Sequence, residues 1–170
     1  PLLIADRNGN FTAESVRKSG NAVLLVQACI HAGESDGKDA GLMLLRDLAL
    51  NEKFSHLLDH VTILFIPIFN TDGHERFGPY NRINQNGPEE MGWRTTAQNL
   101  NLNRDFMKAD APEMRAWLKL YQEWLPEFFV DCHSTDGADF QYTMTYALET
   151  KGCMENKLSQ WTENVCEKYL

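Results

Sequence analysis

Asn21-Ala-Val-Leu-Leu-Val-Gln-Ala-Cys-Ile30, followed at once by His31-Ala-Gly-Glu34, is the stretch that decides how this chain is read. From Ala22 to Ile30 only Gln27 interrupts an apolar run rich in Val, Leu and Ile. Continuous rather than alternating apolarity marks a strand covered on both faces, the habit of parallel sheets. The run is strand-sized, far short of the roughly 18 apolar residues that a membrane helix needs. A polar group begins where the strand stops.

Working outward, Pro1 to Ala5 reads as a strand and Asp36 to Asn51, with apolar residues at Ala40, Met43, Leu44 and Leu48, as a helix. Val61 to Ile68 is a second buried strand, and Glu127 to Cys132 a third. Between them, Phe69 to Ala109 is rich in Gly, Pro, Asn and Thr, and a stretch that long without elements is expected either to be functional or to hold elements that the pattern misses. Asp110-x-x-Glu113, with Pro112 in the first turn, has the pattern of a capping box. Met114, Trp117, Leu118 and Tyr121 then mark the inner face of a helix. Phe140 to Leu148 alternates like a fourth strand. Met154 to Leu170 reads as a last helix, with Met154, Leu158, Trp161 and Val165 on one face. Strand, helix, strand, helix, strand predicts an α/β fold with a mixed, mainly parallel sheet flanked by helices. A strand at Pro1 and a helix at the other end predict a sheet incomplete at both ends, part of a single domain of a longer protein.

Composition narrows the partners. The 170 residues are 43% hydrophobic and 24% charged, enough apolar material for one core and too much for a disordered chain. With 16 basic and 24 acidic residues the net charge is −8, which argues against nucleic acid or an anionic membrane as the main partner. Cys29, Cys132, Cys153 and Cys166 lack CxxC spacing, so a structural zinc knuckle is not expected, and Cys29 and Cys132 read as buried thiols.

Three polar groups follow three strands: His31-Ala-Gly-Glu34, Asn70-Thr-Asp-Gly-His74 and His133-Ser-Thr-Asp136. Parallel sheets bind ligands beyond the carboxyl ends of their strands, so the pattern brings His31, Glu34 and His133 to one edge. Two imidazoles and a carboxylate form a mixed nitrogen and oxygen set that suits one zinc ion, with a fourth position for water.

These residues resemble the zinc carboxypeptidase family of metallopeptidases, whose metal is held by His-x-x-Glu and a distant His. Asn70 to Gly73 resembles that family's Asn-Pro-Asp-Gly, with Thr71 in place of proline. Trp93-Arg94 resembles the arginine that polarises the scissile carbonyl, and Asn103-Arg104 the pair that grips a terminal carboxylate. The resemblance spans roughly Asn21 to Asp136. It implies a zinc-dependent metallocarboxypeptidase: His31, Glu34 and His133 as metal ligands, Arg94 as the catalytic cation, and Asn103 and Arg104 as substrate anchors. The implied partner is a peptide with a free C-terminal carboxylate. The general-base glutamate and specificity pocket are then expected beyond Leu170, and Glu149 is not taken as that base.

Asn101 departs from the resemblance, standing where an aspartate orients the first zinc histidine; its amide oxygen can still accept that imidazole N–H. Asn81-Arg82 is a second Asn-Arg pair, passed over because Leu102, Asp105 and Phe106 flank the other. Asp131, two residues before His133, is read as facing away from it. His74 is not counted as a ligand, Asp136 and Asp139 are placed at the site mouth or in solvent, and His56 and His60 at the surface. Two other readings compete: a zinc deacylase of N-acyl amino acids resembling aspartoacylase, and a non-catalytic metal-binding protein. Asn70 to Gly73 and Trp93-Arg94 favour the peptidase.

Overall fold

The computed structural model of the chain describes residues 1–149 and 153–169. They fall into two compact units, Pro1–Gly137 and Ala138–Leu170. In the first, four strands form one sheet: β1 (Leu3–Ala5), β2 (Ala22–Gln27), β3 (Val61–Ile66) and β4 (Phe128–Asp131), in the order β1-β3-β2-β4. β2 runs parallel to both β3 and β4, and β1 is antiparallel to β3. The mixed, mainly parallel sheet is as the sequence predicts.

Period-two alternation divides the strand side chains between two cores. Val23, Leu25, Leu64 and Ile66 pack on one face, with Ala13 and Val16 of α1 (Ala13–Ser19) and Met114, Trp117 and Trp124 of α5 (Pro112–Trp124). Ile63 and Phe65 take the other face, with Leu45 and Leu48 of α2 (Asp36–Leu50) and Leu58 of the 3-10 turn after α3 (Glu52–Ser55). Helices on both sides explain why the strands are apolar throughout.

Several expectations need correction. Not all the apolar residues of α2 turn to the sheet: Met43 is 55% and Leu44 46% exposed. The helix meets the sheet through Gly41, Leu45 and Leu48. A Cβ on Gly41 would lie 2.3 Å from Cζ of Phe65, so glycine there lets the helix sit directly on the ring. Hydrophobic periodicity does not see a contact made by a residue without a side chain.

The capping box at Asp110 is also not formed. The N-cap of α5 is Ala111, with no side-chain cap, while Pro112 does occupy the first turn. Buried Asp105 supplies the acceptors instead, taking Asp110 N at 3.0 Å and Ala111 N at 2.8 Å. The long irregular stretch carries α4 (Thr71–Glu75), a 3-10 turn at Leu102–Arg104 and an isolated bridge between Gly78 and Met91.

In the second unit, Phe140 to Leu148 is not a strand. Phe140, Tyr142, Met144 and Tyr146 are all more than half exposed. Alternation alone does not make a strand; a neighbour must take its backbone hydrogen bonds. The last helix is formed as α6 (Asn156–Asn164), its first turn capped by Glu155. Leu170 lies outside the described residues. Among the described residues no helix is long and apolar enough to cross a membrane.

Candidate metal centre

Register places the site. Gln27 at the end of β2 pairs with Ile66 of β3 on one side and Asp131 of β4 on the other, so three strands finish at the same edge. Beyond Gln27 the chain leaves the ladder: Cys29 turns through a left-handed φ of 55° and Asn70 N donates to Cys29 O at 2.9 Å. A tight turn then closes with Glu34 N donating to His31 O at 3.0 Å, which brings the Glu34 side chain back beside that of His31.

Three side chains converge. Nδ1 of His31 lies 3.0 Å from Oε1 of Glu34, and Nδ1 of His133 lies 2.9 Å from Oε2 of the same carboxylate. The candidate ligand atoms of the three residues are all within 4.8 Å of one another. His31 and Glu34 are 3% and 2% exposed, and the His133 side chain is 33% exposed, so the cluster is sealed below and open above. Burial pushes the Glu34 pKa up, but hydrogen bonds from His133, His31 and Arg82 outweigh it and hold the group well below the usual carboxylate range. In His133 the hydrogen bond to Asp131, then that to Glu34, raises the imidazole pKa to about 10 against the opposing effect of burial. An ionised carboxylate facing two ring nitrogens, open on one side, fits a divalent metal of the zinc type.

Asp131 does not face away from His133. Residues two apart on a strand share a face, and Asp131 Oδ2 lies 2.9 Å from His133 Nε2 while its Oδ1 accepts from Gln27 Nε2 at 3.0 Å. With Nδ1 on Glu34 and Nε2 on Asp131, both ring nitrogens have a carboxylate acceptor, which fixes the orientation of the ring. His31 differs: its buried Nε2 has no partner among the described residues. Asn101, expected to accept that proton, uses Oδ1 on Asn103 N at 3.1 Å, capping its own 3-10 turn.

Arg94 reaches the cluster, with Nη1 3.6 Å from Glu34 Oε1 and 3.5 Å from Asp136 Oδ1. The Asn70–Gly73 segment positions it: Asn70 Nδ2 donates to Arg94 O at 3.2 Å, Asn70 Oδ1 accepts from Gly73 N at 3.0 Å, and Trp93 N donates to Gly73 O at 2.8 Å. Trp93 packs under the Arg76 guanidinium, 4.6 Å from its ring centre. Asn103 and Arg104 are not brought to the three ligands by any hydrogen bond among the described residues; Arg104 is exposed, with Nη1 on Asn103 O at 2.8 Å. His74 pairs at 3.4 Å with Glu75 and stays out of the cluster, and His56 and His60 are exposed, as expected.

The residue that sequence reasoning passed over is Arg82. Its side chain is 3% exposed, and Nη2 donates to Glu34 Oε1 at 2.8 Å and to Asp136 Oδ1. The available signal was the Asn81-Arg82 pair itself, 12 residues before Arg94. Ser134 N completes the surroundings of Glu34, donating to Oε2 at 3.2 Å.

The zinc carboxypeptidase family model, peptidase M14, matches residues 4–165. Carboxypeptidase 2 of Trichophyton rubrum is 30% identical over 109 residues, covering 64% of this chain and 18% of that protein. Carboxypeptidase 2 of Trichophyton tonsurans is 30% identical over 122 residues, covering 70% and 20%. The chain thus spans about a fifth of the length of these relatives. Among solved structures, a Shewanella denitrificans protein assigned as a carboxypeptidase A superposes with TM-score 0.70 at 21% identity, over 95% of this chain and 38% of that one. A metallo-carboxypeptidase from Pseudomonas aeruginosa gives 0.59 at 20% identity, over 81% and 32%. The chain belongs to the zinc carboxypeptidase family.

Proposed function

We propose that this family member carries the zinc centre of a metallocarboxypeptidase that hydrolyses C-terminal peptide bonds. The observation that supports it best is one buried, ionised carboxylate, Glu34, with an imidazole Nδ1 on each of its oxygens. In this reading His31, Glu34 and His133 would hold one zinc ion. When bound, zinc would supply an acidified water and polarise the scissile carbonyl.

The protein's own groups do the rest. Arg94, one-third exposed and within 4 Å of Glu34, presents a fixed cation where negative charge develops on the carbonyl oxygen. Asp131 would keep the His133 proton on Nε2 when Nδ1, which lies 2.9 Å from Glu34 Oε2, turns to the metal. Asn103 and Arg104 are assigned to the substrate's terminal carboxylate, for which a planar guanidinium offers a two-pronged fit. The proton carrier in this reading is a glutamate outside these 170 residues, and the substrate is a peptide with a free C-terminus.

Two measurements test the proposal. Metal analysis and calorimetry should find one zinc per chain, lost in His31→Ala. In the full-length protein, which on this reading includes that glutamate, a blocked dipeptide should be cleaved, its C-terminal amide should not, and an N-acyl amino acid should be a poor substrate. Cleavage of the N-acyl amino acid alone would replace the peptidase with a deacylase, and a folded wild-type protein without zinc would remove the metal centre.

A further inference from the structure

Arg82 has no role in the scheme above, yet it is among the most enclosed charges in the molecule. Its side chain is 3% exposed. Its stem lies against Gly33, where an added Cβ would come within 2.8 Å of Arg82 Cγ. A cation this deep cannot meet solvent, and a substrate coming through the open side meets Arg94 first, at 33% exposure. Burying a guanidinium is costly unless its partners repay it. Here the balance is not complete, because Nη1 is also buried and has no partner among the described residues. Fold stability alone is therefore a poor reason for arginine at this position.

What Arg82 touches supplies a better reason. Its Nη2 holds Glu34 Oε1 at 2.8 Å and also Asp136 Oδ1. Glu34 Oε2 is held in turn by Ser134 N at 3.2 Å. The two donors act on different oxygens, so together they fix the rotation of the carboxylate plane. That plane decides whether the oxygens face the two Nδ1 atoms. The same Asp136 oxygen lies 3.5 Å from Arg94 Nη1, so one carboxylate sits between the buried guanidinium and the accessible one. Asp136 is anchored separately, its carbonyl accepting from Asn84 Nδ2 at 2.8 Å.

We propose that Arg82 is a positioning residue of the metal centre, orienting Glu34 toward His31 and His133 and fixing Asp136 as the partner of Arg94. The inference rests on the metal reading given under Proposed function. Groups that orient a metal ligand typically contribute about 10–100-fold in metal affinity. Arg82→Lys is the informative variant, because it keeps the positive charge. Electrostatic attraction of the site for a dication then stays constant, and only the reach and planarity of the donor change.

The test is zinc affinity by chelator competition, together with the visible spectrum of the cobalt(II)-loaded protein, which reports ligand geometry directly. Arg82→Lys should bind zinc about 10–100-fold more weakly than wild type and show shifted cobalt bands. Asp136→Asn, which loosens Arg82 from its other partner while leaving Glu34 untouched, should shift the same bands by less and serves if Arg82→Lys does not fold. Wild-type zinc affinity with an unchanged cobalt spectrum in a folded Arg82→Lys protein, or in Asp136→Asn if that is the one that folds, would overturn the inference and leave the metal centre standing. Failure of the wild-type protein to bind either metal would remove both.

Discussion

Asp105 offers the sharpest test of how the site is held in place. It is 1% exposed, and each of its oxygens takes a backbone N–H: Oδ1 that of Asp110 at 3.0 Å, Oδ2 that of Ala111 at 2.8 Å. These bonds join the Leu102–Arg104 turn to the start of α5, whose Met114, Trp117 and Trp124 fill one core. Asp105→Ala leaves both donors unpaired. A stranded buried donor costs about 1–3 kcal/mol; Asp110 borders solvent and falls at the low end, buried Ala111 at the high end. The loss is about 3–4 kcal/mol, a large part of the roughly 5–15 kcal/mol that stabilises a domain. Asp105→Asn keeps one acceptor oxygen and should lose about half as much.

The pH dependence separates the carboxylate from simple packing. Burial acts against ionisation of Asp105, but the N–H groups of Ala111 and Asp110 and the Lys108 ammonium outweigh it, so its pKa lies below the ordinary 3.8. A depressed folded value means that its stabilisation is complete above pH 3.8 and is lost as pH falls through the folded value. Urea unfolding at neutral pH and at a series of values below 3.8 should show the gap between wild type and Asp105→Asn closing in acid. Equal stability of the two at neutral pH, or a gap that persists unchanged in acid, would refute the reasoning.

Three more outcomes follow from the same geometry. In the metal-free protein the hydrogen bond to Asp131 is the leading cause of the raised His133 pKa, so Asp131→Ala should bring that pKa down from about 10 toward the ordinary 6.5, read by an NMR titration of the imidazole; an unmoved value would discard the contact. Gly73→Ala replaces glycine inside a helical turn, normally a gain of about 1 kcal/mol, but its Cβ would lie 2.3 Å from the carbonyl oxygen of Trp93, so thermal unfolding should show a net loss with Arg94 displaced. Arg94→Ala should lower kcat about 100–1,000-fold with little change in KM if it acts on the developing oxyanion, whereas a change in KM alone would make it a binding residue.

What the sequence disclosed depended on whether each feature was local. The buried strands, their parallel pairing and the strand-end placement of His31 and Glu34 are written in continuous apolar runs with a polar stop after each. A helix packed through Gly41 leaves no apolar mark, so that contact of α2 with the sheet is not written in the pattern. Asp110 and Glu113 have the spacing of a cap, but the Asp110 N–H that Glu113 would accept goes to a buried carboxylate five residues upstream. Phe140 to Leu148 alternates like a strand, yet pairing depends on a neighbour that no local pattern supplies.

The charge surrounding Glu34 is the least legible part, and the reason is sequence distance. Arg82 lies 48 residues away, Asp136 a further 54, and no spacing rule links them. His-x-x-Glu names two of the three candidate ligands because one turn of backbone brings them together. What keeps that carboxylate ionised and oriented comes from a loop between β3 and α5 and from the turn after β4. These elements meet only because β2 is flanked by two parallel neighbours that end at the same edge. A chain could keep His31, Glu34 and His133 unchanged and still lose the geometry through a substitution at Arg82 or Asp131. On the proposed reading, those two residues matter to the site as much as the histidines that first drew notice.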